Sequence, residues 1–166
     1  MTHAQRQTFR AVIAAAGLLS AAAPARADIT AFLGANTTPD NRMARGLAVG
    51  AGLLIIGFEF EYSDTSESIT PGTVAPSLKT GMGNVLLQTP FAIAGIQPYF
   101  TTGGGIARET LGTREDTSFA LNTGGGVKIS LAGPLRLRVD YRVFRLGSGA
   151  LYSPAHRIYA GLNLKF

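Results

Sequence analysis

Several segments of the chain place acids and bases at every second residue. Glu59 and Glu61 alternate with Phe58, Phe60 and Tyr62, and Arg136, Arg138, Asp140 and Arg142 alternate with Leu135, Leu137, Val139, Tyr141 and Val143. Lys128 lies between Val127 and Ile129, and Arg157 opens a final run of the same kind. Period two is the side-chain repeat of a strand, so each segment carries ions on one face and apolar groups on the other. Rows of carboxylates and guanidinium groups can hold one another in ion pairs, pass small ions, or orient a base for catalysis. For catalysis the chain offers little: beyond the first 27 residues the only histidine is His156, three residues from Ser153 across Pro154. A hydrolytic triad needs its base about 3 Å from the nucleophile and an acid to orient it. The Ser153/His156 spacing does not set that up, so His156 reads as a wetted loop residue and no catalytic residue is expected.

Other site chemistries fail on composition. Without cysteine there is neither a disulfide framework nor a thiolate metal site, and no metal or cofactor is expected. The runs Gly103-Gly104-Gly105 and Gly124-Gly125-Gly126 lack the Lys-Ser/Thr that follows a phosphate loop. Glycine inside strands instead permits bending and makes room for neighbouring rings, and the two runs, in adjacent strands, are expected side by side. With 21 glycines in 166 residues and 15% charged residues against an average of about 25%, the composition is unusual for a secreted soluble protein.

The two ends carry separate signals. Arg6 and Arg10 precede an apolar run over 11–23, and Ala25-Arg26-Ala27 supplies small residues at the positions a signal peptidase reads. Residues 1–27 are therefore expected to be a secretory signal peptide cleaved after Ala27, leaving one domain, 28–166. Its loss removes Arg6, Arg10 and Arg26, so twelve basic residues face ten acidic ones and the net charge falls from +5 to +2. Nucleic acid is then not an expected partner, since no basic run interleaved with aromatic residues supports one. At the other end Ile158, Ala160, Leu162, Leu164 and Phe166 share one face while Arg157, Tyr159, Gly161, Asn163 and Lys165 share the other. About ten alternating residues closed by an aromatic is what a tilted membrane-spanning strand needs.

Between these ends, alternation bounded by turn residues predicts eight strands: 29–36, 46–54, 57–64, 77–88, 96–110, 117–131, 135–146 and 157–166. The polar stretches 37–45, 65–76, 111–116 and 147–155 are expected to be loops at one end, with short turns at the other. The connection 89–95 stands apart, because it is longish and apolar for a short turn. No uninterrupted stretch of 18 apolar residues occurs in 28–166, so only a closed sheet could carry this chain through lipid. Alternation alone leaves open which face points inward, since a soluble lipocalin-like barrel places its apolar set inside. The terminal aromatic, the glycine content and the loop asymmetry assign the apolar set to the outside and the ions to the lumen.

The pattern Tyr159-x-Gly161-x-x-Leu164-x-Phe166 resembles the C-terminal signal read by the assembly machinery of bacterial outer-membrane barrels. Over 28–166 the chain resembles the small eight-stranded outer-membrane barrels typified by the OmpA membrane domain and OmpX. The resemblance implies an all-β, eight-stranded antiparallel up-and-down transmembrane barrel in the outer membrane. Outer-membrane lipid, lipopolysaccharide and the assembly machinery are its implied partners. It also implies a lumen ion-pair network, which Glu59, Glu61, Lys128, Arg136, Arg138, Asp140, Arg142 and Arg157 would supply here. Glu59, Glu61, Arg136 and Arg138 are expected at one depth in the periplasmic half. The leading expectation is a non-enzymatic envelope protein with a closed lumen. The alternatives are a lipid-modifying barrel enzyme, a narrow gated channel and an adhesin; the loops name no ligand.

Overall fold

A strand with one apolar and one polar face has two sheet edges to satisfy, and closing the sheet on itself satisfies all of them. The computed structural model describes residues 26–166 and shows that solution. It has ten strands: β1 (Arg26–Asn36), β2 (Arg42–Leu53), β3 (Ile56–Thr65), β4 (Ser68–Thr70), β5 (Thr73–Ala75), β6 (Ser77–Gln88), β7 (Ile96–Leu111), β8 (Arg114–Ala132), β9 (Leu135–Leu146) and β10 (Ala155–Lys165). Eight of them form a closed antiparallel barrel in the order β1-β10-β9-β8-β7-β6-β3-β2, while β4 and β5 make a separate small hairpin. The first and last barrel strands close the ring, from Asp28 opposite Lys165 to Asn36 opposite Arg157.

The expected strands are present, and several boundaries move; β10 begins at Ala155 rather than Arg157 and so takes in His156, a residue expected in a loop. Strand β2 begins at Arg42, inside the stretch expected as a loop. The segment 111–116, expected as a charged loop, is a two-residue turn at Gly112 and Thr113 flanked by long strands in which Glu109 pairs with Asp116 and Thr110 with Glu115. Both corrections have one cause. Beyond the apolar band an outward position no longer needs an apolar side chain, so hydropathy alternation fades while the hydrogen-bond ladder continues. Further, β1 starts at Arg26, opposite Gly52, with Ala27 opposite Ala51. The rest of the expected signal peptide, Ala25 included, lies outside the described residues.

The glycine runs are not side by side. Gly103 faces Asn122, whereas Gly124 faces Thr101 and Gly126 faces Tyr99. Only the second run borders an inward ring, and Gly46, outside both runs, borders another. A Cβ on Gly126 would stand 2.7 Å from the Tyr99 hydroxyl, and one on Gly46 would stand 2.9 Å from Cε1 of the Phe32 ring. The space so left admits the inward rings of Tyr99 and Phe32, the latter stacked on Tyr159 at 4.0 Å between centroids.

Polarity is inverted relative to a water-soluble globule. Phe58, Phe60, Leu47, Leu162 and Phe119 are all more than half exposed on the outer wall, while Arg138, Arg142, Arg157, Glu61 and Asp140 are buried inside. No helix among the described residues is long and apolar enough to cross a membrane.

Candidate functional site: an ionic core inside the barrel

Strand alternation brings the inward residues to the axis in three layers. The middle layer holds three carboxylates, Glu59, Glu61 and Asp140, and three guanidinium groups, Arg138, Arg142 and Arg157. Glu59 and Glu61 come from β3, Arg157 from β10, and the other three from β9. Arg142 is the hub: it lies 2.8 Å from Glu59, 3.1 Å from Glu61 and 2.9 Å from Asp140. Arg138 pairs with Glu59 and, at 3.2 Å, with Asp140, while Arg157 pairs with Glu61. Tyr99 links the layer to β7, donating its hydroxyl hydrogen to Asp140 and accepting one from Arg138 Nε at 2.7 Å. The Arg138 guanidinium also covers the Tyr99 ring at 4.8 Å, a cation–π contact. Formal charges within this layer balance, which burial requires: an unpaired ion withdrawn from water costs several kcal/mol.

Below it, at the end of the short turns, lies a second cluster. Asp28 accepts from Lys128 Nζ at 2.8 Å and from Arg136 at 3.0 Å. Arg136 also donates to Asn163 at 2.7 Å and to Gln97 at 3.0 Å. This separates the expected network into two. Lys128 and Arg136 do not join Glu59 and Glu61 but share Asp28, and of the four residues expected at one depth only Glu59 and Arg138 meet. A cavity of about 80 Å³ bounded by Asp28, Glu59, Lys128 and Arg136 opens at this end. Asp28 was missed because it adjoins the expected cleavage site and the first strand was expected to begin at Ile29, although Asp28 shares the inward phase of Thr30.

The upper layer corrects the expectation of a wholly charged lumen. Leu78, Met82, Ala107, Ala120, Phe144, Leu146 and Ala155 form an apolar cluster. The signal was present: Phe144 and Leu146 continue the inward phase of Arg138, Asp140 and Arg142. Arg157 joins the two layers, its guanidinium 4.5 Å from the Phe144 ring centre. Arg138, Arg142, Glu61 and Met82 are each 0% exposed, so the interior is filled at the level of both layers.

The Ser153 and His156 side chains are engaged elsewhere. Ser153 Oγ accepts from the Leu146 backbone N–H at 3.1 Å, and His156 Nδ1 lies 2.7 Å from the Tyr141 hydroxyl on the outer wall. Among the C-terminal residues, Tyr159 and Gly161 face inward and are buried. Leu164 and Phe166 face outward, and the Phe166 N–H donates to the Ala27 carbonyl at 2.8 Å.

No family model and no curated protein matches the sequence. Solved structures do match in shape. The N-terminal β-barrel domain of Pseudomonas aeruginosa OprF superposes with a TM-score of 0.65 at 14% identity, over 85% of this chain and 97% of that one. Its fold is that of the small eight-stranded outer-membrane barrels. Neisserial surface protein A (NspA) matches this barrel at 0.63 with 17% identity, covering 86% of this chain and 96% of its own. The attachment invasion locus protein Ail of Yersinia pestis matches it at 0.53 with 10% identity, over 86% and 98%. At such identities the likeness is one of fold, and the side chains of the ionic core belong to this chain's own reading.

Proposed function

We propose that the chain is a non-enzymatic integral protein of the outer membrane. Its lumen is closed by the ionic core and the apolar layer above it, and its role is to stiffen the envelope and present surface loops. The observation that carries this reading is the inversion of polarity: a wall of exposed Phe, Leu and Ile around a charge-balanced interior. Only lipid makes such an outer surface favourable, because in water each exposed ring would forgo about 1.5–3 kcal/mol of burial. The connections 37–41, 66–76, 112–113 and 147–154 share the end away from the ionic vestibule and face outside. Near that end the outer wall turns charged, with Arg45 3.4 Å from Asp64, Arg108 3.5 Å from Glu115, and Lys79 between them. This is where lipopolysaccharide phosphates stand. Tyr159, Gly161, Leu164 and Phe166 serve the assembly machinery in this reading.

Against a catalytic role, neither Ser153 nor His156 is paired with the other as nucleophile and base. Against a channel, the buried guanidinium groups leave no water path through the middle layer. Recovery of the mature chain from the outer-membrane fraction tests the location, and reconstitution in planar bilayers tests the closed lumen. The expected record shows no discrete current steps for the wild type; steady single-channel steps would contradict the closed lumen, and recovery with the inner membrane would contradict the location.

A further inference from the structure

The apolar connection 89–95 is an ordered hairpin. Ile93 and Ile96 exchange backbone hydrogen bonds of 2.8 and 3.0 Å across Ala94 and Gly95. Both central residues have positive φ, 51° and 81°, as a type I′ turn requires. The Gln97 side chain donates to the Thr89 carbonyl at 2.7 Å, and the Ser130 N–H donates to the Gly95 carbonyl at 2.8 Å, tying the tip to β8. What this rigid frame holds out is Phe91, 65% exposed, and Ile93, 63% exposed. Alongside, the β2–β3 turn exposes Leu54 and Ile55, and the Gln88 N–H donates to the Ile55 carbonyl at 2.8 Å, joining the two connections. Neither 53–56 nor 89–95 contains a charged residue.

Two observations identify what covers this apron. The first is continuity: Ile56 pairs with Leu87 and Leu87 with Phe100, all outward, so the apron runs without a break into the apolar wall. The second is length. On β3 the outward run from Asp64 to Ile56 is eight steps, as it is from Arg45 to Leu53 on β2 and from Lys79 to Leu87 on β6. At about 3.3 Å per residue and a tilt of about 40°, that spans only about 20 Å along the barrel axis, short of the roughly 25 Å apolar band of outer-membrane barrels. On β9 the run from Arg145 to Leu135 is ten steps, about 25 Å, and the turn there, Gly133 and Pro134, carries no large apolar side chain. Each apolar turn adjoins one of the short runs, on both sides for the β2–β3 turn and on the β6 side for the β6–β7 turn, where β7 itself runs twelve steps from Arg108 to Ile96.

We propose that the β2–β3 and β6–β7 turns insert into the periplasmic leaflet. Phe91, Ile93, Leu54 and Ile55 would lie at the boundary of phospholipid headgroups and acyl chains and complete the lipid-facing band on that side. The proposal rests on the outer-membrane reading above. Its partner is a phospholipid surface, not a periplasmic protein or a second copy of the chain.

The chain contains no tryptophan, so a single introduced one reports alone. Phe91→Trp and, at mid-wall, Phe60→Trp are refolded into phosphatidylcholine vesicles brominated either near the headgroup or near the chain ends. The Phe91→Trp emission is expected to be blue-shifted and quenched about twofold by shallow bromine, with less quenching by deep bromine, as for a group seated about 5–10 Å into the boundary. Phe60→Trp is expected to show the reverse preference. Ile93→Trp repeats the measurement should Phe91→Trp fail to fold. A water-like, unquenched Phe91→Trp beside a quenched Phe60→Trp overturns the inserted turns and leaves the membrane barrel standing. An unquenched Phe60→Trp overturns the membrane reading itself.

Discussion

Replacing Arg142 by Met is expected to destabilise the barrel by about 3–5 kcal/mol, because it leaves a buried carboxylate excess where three acids faced three bases. Arg142 touches Glu59, Glu61 and Asp140, more carboxylates than Arg138 or Arg157. Urea-induced unfolding of the protein in detergent micelles or vesicles measures the loss. The shape of the effect matters as much as its size. Adding Glu59→Gln restores formal neutrality, so the double variant should be more stable than the sum of the two single losses by about 0.5–3 kcal/mol. Simple additivity would show that the six groups do not act as one network.

A charge on the outer wall has an effect whose sign separates lipid from water. Phe60 is 61% exposed near the middle of the outward run of β3. Phe60→Arg should cost about 2–4 kcal/mol in vesicles, the cost of a cation facing hydrocarbon at mid-depth. On the surface of a soluble barrel the same exposed change would fall within about 0.5 kcal/mol of neutral. Lys79→Arg, at the charged end of the neighbouring strand, should be nearly silent in both solvents and serves as the control.

Much of this fold was legible because alternation is a strong local signal wherever the wall faces one solvent and the lumen another. In β9 each residue from Arg136 to Val143 declares its face. The signal weakens where that contrast ends, which is why Arg42 to Arg45 and the tip of the β7–β8 hairpin read as loop: outside the apolar band, Arg45 and Glu115 occupy outward positions that hydropathy assigns to neither face. The members of the ionic core were legible by phase, but their partners were not. Which acid meets which base depends on strand tilt and register around a closed ring, and these brought Asp28 to Lys128 and Arg136, residues about a hundred positions away in the chain. The apolar upper layer could have been found by carrying the phase of Arg142 two and four residues further.

The most direct test of inverted polarity is proximity to lipid, residue by residue. In nanodiscs, nuclear Overhauser transfer from acyl-chain protons should reach the methyl groups of Leu47, Leu137 and Leu162 and should be absent at Leu78 and Met82. Transfer to Leu78 and Met82, with Leu137 and Leu162 exchanging magnetisation with water instead, would contradict the account.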